Sequence, residues 1–360
     1  MTSKEYIQKL RTAKYPLRGN KPKAMKAQMK IFESLDDHLM PDVYGNGEVI
    51  ENFEKLLSEE FKKPGAIFFP SGTMAQQIAL RVLCDRRGLK RVAYHPLCHL
   101  EIHEQGGIKE LHHIETVLLG DADRVFTLED LKEMDDVSVV LFELPQREIG
   151  GQLPSWDELV SMVNFCRERG IYTHLDGARI YECLPYYEKT VEEVGQLFDS
   201  VYVSFYKTFG GVTGAMLIGD EAMMIEAKIW KRRHGGDLYQ LFPYIVTASE
   251  AYLRNKDKMQ GYYEGAKAYA GKLSKVSGIK IIPEVPVSNM FHIHFDETPE
   301  VVMERLAYVI DEKNIALFGG IATNTDSLAK TEVYIGDAYG EVEELLVDQA
   351  IGLYEKEKLG

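Results

Sequence analysis

The pattern of apolar and polar positions changes its period repeatedly between residues 49 and 205. Apolar residues recur at helical spacing in residues 49–61, which predicts an amphipathic helix, and further helices are predicted at residues 73–83 and 155–169. Short apolar, β-prone runs predict strands at residues 66–69, 91–94, 116–119, 137–142, 170–175 and 200–205. Strands that alternate with helices indicate an α/β domain with a mostly parallel sheet covered by helices.

A second, smaller region follows two helical segments at residues 221–231 and 245–277. Its predicted strands are residues 290–295, 315–318 and 333–335. The first 45 residues are polar and mixed, with one predicted helix at residues 23–35. With 360 residues the chain is long enough for two cores. We therefore predict an N-terminal arm (1–45), a large α/β domain (46–255) and a smaller C-terminal α+β domain (256–360).

Composition excludes several classes of protein. The formal net charge of -14 argues against a nucleic-acid partner, which would require a basic face. No apolar run approaches the roughly 18 residues of a membrane span, and the first ten residues lack the apolar core of a secretory signal. Cys84, Cys98, Cys166 and Cys183 form no Cys-x-x-Cys pair and indicate reduced thiols. We expect a cytoplasmic protein without membrane or nucleic-acid partners.

Two residues at predicted strand ends indicate covalent cofactor chemistry. Asp176 ends the run at 170–175, and Lys207 follows the run at 200–205, 31 residues after Asp176. Open α/β sheets bind their ligands at the carboxyl ends of strands. A lysine in a desolvated site forms a Schiff base with pyridoxal 5'-phosphate (PLP), and a carboxylate holds the pyridine nitrogen protonated. The two residues predict a PLP site, with two unrelated surface charges as the alternative.

Ser71, Gly72 and Thr73 form a turn between a predicted strand and a predicted helix. Backbone N–H groups at a helix start, together with hydroxyl groups, bind a phosphate dianion. Serine and threonine also cap many helices that bind no ligand. Both interpretations of this turn remain open at the level of sequence.

His95, His99 and His103 are spaced four residues apart. On one helix they would share a face, so a metal hydrolase is an alternative function. The segment lacks the His-Glu-x-x-His pattern, and Pro96 disfavours a helix that includes His95. We prefer a single histidine, His99, that stacks on a flat cofactor, and we predict no metal site.

These segments, taken in order, resemble the threonine aldolase and β-eliminating lyase family of fold-type I PLP-dependent enzymes. The likeness spans most of the first 240 residues, whereas the last hundred match only loosely. The matching segments are Leu17-Arg18, Asp42-Val43-Tyr44-Gly45, Phe69-Pro70-Ser71-Gly72-Thr73, His99 to Gly107, Gly150-Gly151-Gln152-Leu153-Pro154, Asp176-Gly177-Ala178-Arg179, Lys207, and Arg232 to Gly236.

The resemblance implies an enzyme of amino acid metabolism with PLP as cofactor, cleaving a β-hydroxy-α-amino acid of the threonine or allo-threonine type to glycine and an aldehyde. It implies that Lys207 forms the Schiff base, Asp176 pairs with the pyridine nitrogen and His99 stacks on the ring. The further cofactor contacts that it implies are Ser71, Gly72, Thr73, Arg179, Ser204 and Arg233. It also implies a homodimer or homotetramer with shared active sites, in which residues 231–233 reach a neighbour.

Departures from the family pattern concern the substrate. The family's aldolases carry serine where this chain has Gly19, an arginine near residues 329–334, and a histidine within the segment that here reads 145–149. We hypothesise that Arg147 binds the substrate carboxylate with its planar guanidinium, and that Glu148 or His103 relays the hydroxyl proton. β-Elimination on another amino acid is the alternative within PLP chemistry. A non-catalytic binding protein is the alternative outside it.

Overall fold

The computed structural model describes residues 1–21, 24–324 and 326–359. The chain divides into a larger unit, Lys23–Glu148 with Leu153–Asp257, and a smaller unit, Met1–Pro22 with Ile149–Gln152 and Lys258–Gly360. The division after Asp257 lies two residues from the predicted boundary at residue 255. The predicted arm, in contrast, is split between the two units. Lys23, where a helix was predicted to begin, lies outside the described residues.

The strands are β1 (Tyr15–Pro16), β2 (Gly65–Phe69), β3 (Arg91–Tyr94), β4 (Glu115–Leu118), β5 (Val139–Glu143), β6 (Tyr172–Asp176), β7 (Ser200–Ser204), β8 (Ala215–Gly219), β9 (Ile279–Ile282), β10 (Met290–Phe295), β11 (Ile315–Ala316), β12 (Ala322–Thr323) and β13 (Ala329–Tyr334).

The helices are α1 (Ser3–Leu10), α2 (Met25–Met29), α3 (Glu48–Glu60), α4 (Gly72–Arg87), α5 (His99–Ile102), α6 (Gly107–His112), α7 (Leu128–Glu133), α8 (Trp156–Glu168), α9 (Ile180–Tyr187), α10 (Val191–Leu197), α11 (Glu221–Arg233), α12 (Phe242–Asn255), α13 (Met259–Leu273), α14 (Pro299–Lys313), α15 (Asp337–Gly340) and α16 (Glu344–Leu359). Short 3-10 helices are Lys30–Ser34, Arg147–Ile149 and Lys256–Lys258. Within the described ranges, no helix is both long and apolar enough to cross a membrane.

The larger unit contains a seven-stranded sheet in the order β2-β8-β7-β6-β5-β3-β4, as far as the chain is described. Strands β3 to β7 pair in parallel, and only the pairs that include β8 are antiparallel in this part of the chain. This confirms the predicted α/β fold with a mostly parallel sheet. Strand β8 was not predicted. All five of its residues are buried, and a short apolar run does not by itself distinguish a strand from a segment of a buried helix.

Helix α4 packs across the middle of this sheet, against β6, β7 and β8. It is buried on nearly all sides, with side chains such as Ile78, Leu80 and Val82 inaccessible to solvent. A helix in that position shows little amphipathic pattern, because there is no face for it to turn towards water. Its burial fixes the first turn of α4 beside the carboxyl ends of the strands.

The register of the central strands sets three side chains next to one another. Glu143, the last residue of β5, pairs with Asp176, the last residue of β6. Asp176 in turn pairs with Tyr202 of β7. Because the strands are parallel, these residues lie in one row at the same edge of the sheet.

The smaller unit has an antiparallel sheet in the order β12-β13-β10-β9, as far as the chain is described, with helices α13, α14 and α16 in the same unit. This agrees with the predicted α+β region, although β9 was not predicted and β13 begins earlier than expected. Gly19 lies in this unit with φ +59°, and a Cβ there would lie 2.3 Å from Cε2 of Tyr334. The serine of the family's aldolases therefore has no room at position 19. Gly150 is required for a similar reason, since a Cβ would lie 2.2 Å from the Ile282 carbonyl oxygen.

Candidate active site

A cleft that encloses about 490 Å³, part of it open to solvent, lies at the carboxyl edge of the large sheet. It is lined by Thr73, Gln76, His99, His103, Glu104, Glu143, Leu144, Pro145, Arg147, Glu148, Asp176, Ala178, Arg179, Tyr202, Tyr206 and Lys207. Lys207, Asp176 and His99, the predicted catalytic residues, therefore meet in one place. So do Arg147, Glu148 and His103, the residues predicted to bind substrate.

Four of the predicted cofactor residues are not among those that line the cleft. Ser71 caps α4, with its hydroxyl 3.5 Å from the Met74 nitrogen. Gly72 follows it, and a Cβ there would lie 2.1 Å from the Tyr202 hydroxyl oxygen, so this position has no room for a side chain. Ser204 is fully buried at the end of β7. Arg233, at the end of α11, stacks on the Trp230 ring at 4.6 Å.

Asp176 is buried at the base of the cleft and is held by two N–H groups. The Gln76 side-chain amide donates to Oδ2 at 2.8 Å, and the Ala178 backbone donates to Oδ1 at 3.1 Å. Burial nevertheless raises the pKa of Asp176. Sequence reasoning missed Gln76, although an amide inside a helix that is otherwise buried and apolar signals a polar partner nearby.

Lys207 follows β7, and its Nζ lies 5.1 Å from the centre of the Tyr206 ring. Arg179 precedes the first residue of α9 and lines the same cleft. The residues present fit PLP, because a lysine, an imidazole and the start of a long helix surround a buried carboxylate. A protonated ring nitrogen placed opposite Asp176 would favour the ionised carboxylate that burial alone disfavours.

His99 begins α5, and its orientation depends on Glu104. Nδ1 of His99 lies 3.4 Å from Oε1 of Glu104, long for a hydrogen bond but within ion-pair range. The Glu104 carboxylate raises the pKa of His99. Oε2 of Glu104 accepts a hydrogen bond of 2.9 Å from the Gln77 amide, so the acid is itself fixed in place.

His95 does not join the other two histidines. Its Nε2 donates to the Arg124 carbonyl oxygen at 2.9 Å, and its Nδ1 accepts from the Leu97 backbone at 3.0 Å. Burial lowers the pKa of His95. Among the described residues no group of three or more His, Cys, Asp or Glu side chains is arranged to hold a metal ion. The metal-hydrolase alternative thus has no ligand set in this part of the chain.

Glu143 connects the loops on either side of the cleft. Its Oε2 accepts the His99 backbone N–H at 3.1 Å, and its Oε1 accepts the Arg147 backbone N–H at 3.3 Å. Burial, with the neighbouring Asp176 as a second cause, raises the pKa of Glu143 to about 7. Sequence reasoning missed this residue, although an acid at the end of an apolar strand is the same signal that identified Asp176.

The three residues predicted to act on the substrate form one network. Nη1 of Arg147 donates to Oε1 of Glu148 at 2.8 Å, and Nε2 of His103 lies 2.9 Å from the same oxygen. Their side chains are 31%, 25% and 42% exposed, respectively. In contrast to the buried acids below it, this network is accessible to a molecule that enters the cleft.

Comparison with known proteins supports the resemblance on which these roles depend. Residues 21–298, which include every residue of the cleft, match the family described as β-eliminating lyase. The structure of a putative L-allo-threonine aldolase from Listeria monocytogenes is 46% identical, covers 99% of both chains and has a TM-score of 0.96. A putative aromatic amino acid β-eliminating lyase/threonine aldolase from Exiguobacterium is also 46% identical, with a TM-score of 0.95 over 98% of this chain and 99% of that one. Low-specificity L-threonine aldolase 1 of Arabidopsis thaliana is 24% identical over 310 residues, 83% of this chain and 86% of that protein.

We expect Glu143→Gln to change how the stability of the cofactor-free protein depends on pH. The carboxyl has a pKa of about 7 in the folded chain and about 4.3 when unfolded, so folding strengthens proton binding. Between these two values the folded state loses stability as pH rises, by about 2–3 kcal/mol. Glutamine has no such proton to lose. Urea titrations should therefore show that the difference in free energy of unfolding between wild type and variant falls by about 2–3 kcal/mol from pH 5 to pH 8.

The matched control for this measurement is Glu110→Gln, which replaces an exposed glutamate on α6. It should keep the pH dependence of the wild type. A difference between wild type and Glu143→Gln that does not vary with pH would contradict the raised pKa.

Proposed function

Because the chain belongs to the β-eliminating lyase family and is a lyase, we propose that it cleaves the Cα–Cβ bond of a β-hydroxy-α-amino acid with PLP as cofactor. Threonine or allo-threonine is the substrate type, and glycine and an aldehyde are the products. The proposal rests on one observation, that Lys207, Asp176 and His99 line the same cleft. Relatives that are described as threonine aldolases support the reaction type.

The residues that would hold PLP are distributed around the cleft. Lys207 would form the Schiff base, Asp176 would pair with the pyridine nitrogen and His99 would stack on the ring. The phosphate would lie at the start of α4, where Ser71, Gly72 and Thr73 supply N–H and hydroxyl donors. When bound, PLP takes up the electron pair left at Cα as the Cα–Cβ bond breaks. Arg179 would approach the phenolic oxygen, with Ser204 and a neighbour's Arg233 as further contacts.

The chain's own side chains position these groups. Gln76 and Ala178 hold the two oxygens of Asp176, so the carboxylate cannot rotate away from the cleft. Glu104 sets the orientation of His99. Arg147 would bind the substrate carboxylate, because its guanidinium lies in the cleft and is held there by Glu148.

β-Elimination on another amino acid is the second candidate function. It is favoured by the description of the Exiguobacterium relative. It is also favoured by residues 145–149, which contain no histidine where the family's aldolases carry one. The two candidates share every cofactor residue and differ in their products.

The cytoplasmic location and the lack of nucleic-acid and membrane partners remain predictions from composition. We also infer that the chain forms a homodimer, or a tetramer built from dimers. Tyr44 and Tyr239 pack edge to face with ring centres 5.5 Å apart, yet they are 46% and 60% exposed. The Arg232 guanidinium lies 5.4 Å from the Tyr44 ring centre. Tyrosine and arginine are enriched at protein interfaces. A second copy of the chain is the occupant that the family resemblance implies for this surface.

Light scattering should therefore give the mass of a dimer or tetramer, and Tyr239→Glu should shift it towards the monomer. A charge at a buried interface is desolvated without a partner, which opposes association. Leu345→Glu, at an exposed position on α16, should leave the mass unchanged. A monomeric wild type would refute the inference.

We expect borohydride to attach PLP covalently to Lys207 of the purified protein, and peptide mass spectrometry to locate it there. Lys207→Ala should abolish turnover. Asp176→Asn should retain the cofactor but lose most activity, because an amide does not hold the ring nitrogen protonated. Cofactor attached to Lys90 or Lys272 instead would contradict the assignment.

A panel of β-hydroxy-α-amino acids, with Lys207→Ala as the inactive control, tests the reaction itself. We expect glycine and an aldehyde as products, with slow cleavage of threonine and allo-threonine and faster cleavage of a bulkier substrate. The reason is that positioned acid–base groups contribute roughly 10²–10⁴-fold, and the histidine usual in this family is absent. Production of only 2-oxo acid and ammonia would establish β-elimination in its place.

A further inference from the structure

We propose that His103 is the general base that takes the β-hydroxyl proton of the substrate, and that Glu148 is the positioning residue that holds it in the required tautomer. The inference rests on the proposed aldol cleavage and deepens it. It is carried by one arrangement, the 2.9 Å contact between His103 Nε2 and Glu148 Oε1 in the cleft that contains Lys207.

The contact determines which nitrogen of His103 can act as a base. A carboxylate oxygen only accepts, so in the neutral imidazole Nε2 carries the hydrogen and Nδ1 has the lone pair. No hydrogen bond to Nδ1 occurs in the described part of the chain. A base oriented by a carboxylate on its far nitrogen is the arrangement that catalytic triads use.

Arg147 contacts the same carboxylate from the other side. Its Nη1 donates at 2.8 Å to the same Glu148 oxygen that accepts from His103. A guanidinium only donates, so Glu148 Oε1 is the acceptor in this contact, as it is in the contact with His103 Nε2. If Arg147 also binds the substrate carboxylate, one cation links substrate binding to the orientation of the base.

Of the two histidines that line the cleft, His103 is the one suited to this role. Nδ1 of His99 already faces Oε1 of Glu104 at 3.4 Å, and that carboxylate raises the pKa of His99. His99 is also the ring expected to stack on the cofactor. The ring of His103 lies 5.2 Å from that of His99, so a base at this position would lie beside the stacked ring.

The proton and electrons of the step balance without a further reactant. The O–H bond of the β-hydroxyl breaks, and its proton goes to Nδ1 of His103. The carbonyl bond of the aldehyde forms at Cβ as the Cα–Cβ bond breaks. The electron pair remains at Cα, where a proton then bonds to give glycine.

Two reactions of the holoenzyme separate this role from a structural one. Cleavage of the best substrate of the panel requires loss of the hydroxyl proton, whereas exchange of the α-hydrogen of glycine with deuterium does not, because glycine has no hydroxyl. His103→Asn should therefore lower kcat for cleavage by about 10²–10⁴-fold. The exchange rate, measured by NMR, and the visible absorbance of the bound cofactor should stay unchanged.

Glu148→Gln should lower cleavage less than His103→Asn, since the imidazole remains but its tautomer is no longer fixed. The double variant should cleave no more slowly than His103→Asn alone, because the two residues act as a unit. The matched controls are His113→Asn and Glu110→Gln. Both positions are exposed, and His113 has φ +53°, which asparagine tolerates.

Each outcome decides a different point. The assignment of base and positioning residue would be overturned by any of three results. These are unimpaired cleavage by His103→Asn, an equal loss of cleavage and exchange in that variant, and additive losses of cleavage in the double variant. A wild-type enzyme that exchanges glycine but cleaves no β-hydroxy amino acid would overturn the proposed function itself, and that result needs no variant.

Discussion

The burial of the Asp176 carboxylate is the constraint on which the rest of the site depends. Removing a carboxylate from water costs several kcal/mol unless N–H groups and an opposite charge compensate. Gln76 of α4 and the backbone of Ala178 supply the N–H groups. Helix α4 cannot move away without exposing its apolar residues and leaving Asp176 unsatisfied. The same contact therefore holds the helix start, where phosphate is expected, in a fixed relation to the carboxylate.

A second buried acid extends this constraint to the loops. Glu143 lies beside Asp176 in the strand pairing, and two adjacent carboxylates do not both ionise readily at low dielectric. Burial, and after it the charge of Asp176, raises the pKa of Glu143. Its two oxygens accept the backbone N–H groups of His99 and Arg147. Glu143, at the bottom of the cleft, thus positions two residues. These are His99, whose ring is expected to stack on the cofactor, and Arg147, whose guanidinium is expected to bind substrate.

The cleft separates cofactor chemistry from substrate choice. Asp176, His99 and Lys207 are the residues through which the chain resembles its family. Arg147 and Glu148 of the exposed network lie in residues 145–149, where the chain departs from the family pattern, and His103 contacts Glu148. A fold of this kind hosts several reactions, and the side chains around the shared cofactor decide among them.

The sequence by itself determined the α/β class, most of the element order, and the position of Asp176 and Lys207 at strand ends. These depend on local periodicity and on polar residues at strand ends, which a single stretch of sequence contains. Strand β8 was missed because a short apolar run does not by itself distinguish a strand from a segment of a buried helix. Only the tertiary structure decided that Gln76 meets Asp176, that Glu143 holds His99 and that Glu148 holds His103. These pairs are 100, 44 and 45 residues apart, and contacts at such separations depend on strand register and helix packing, which no local pattern encodes.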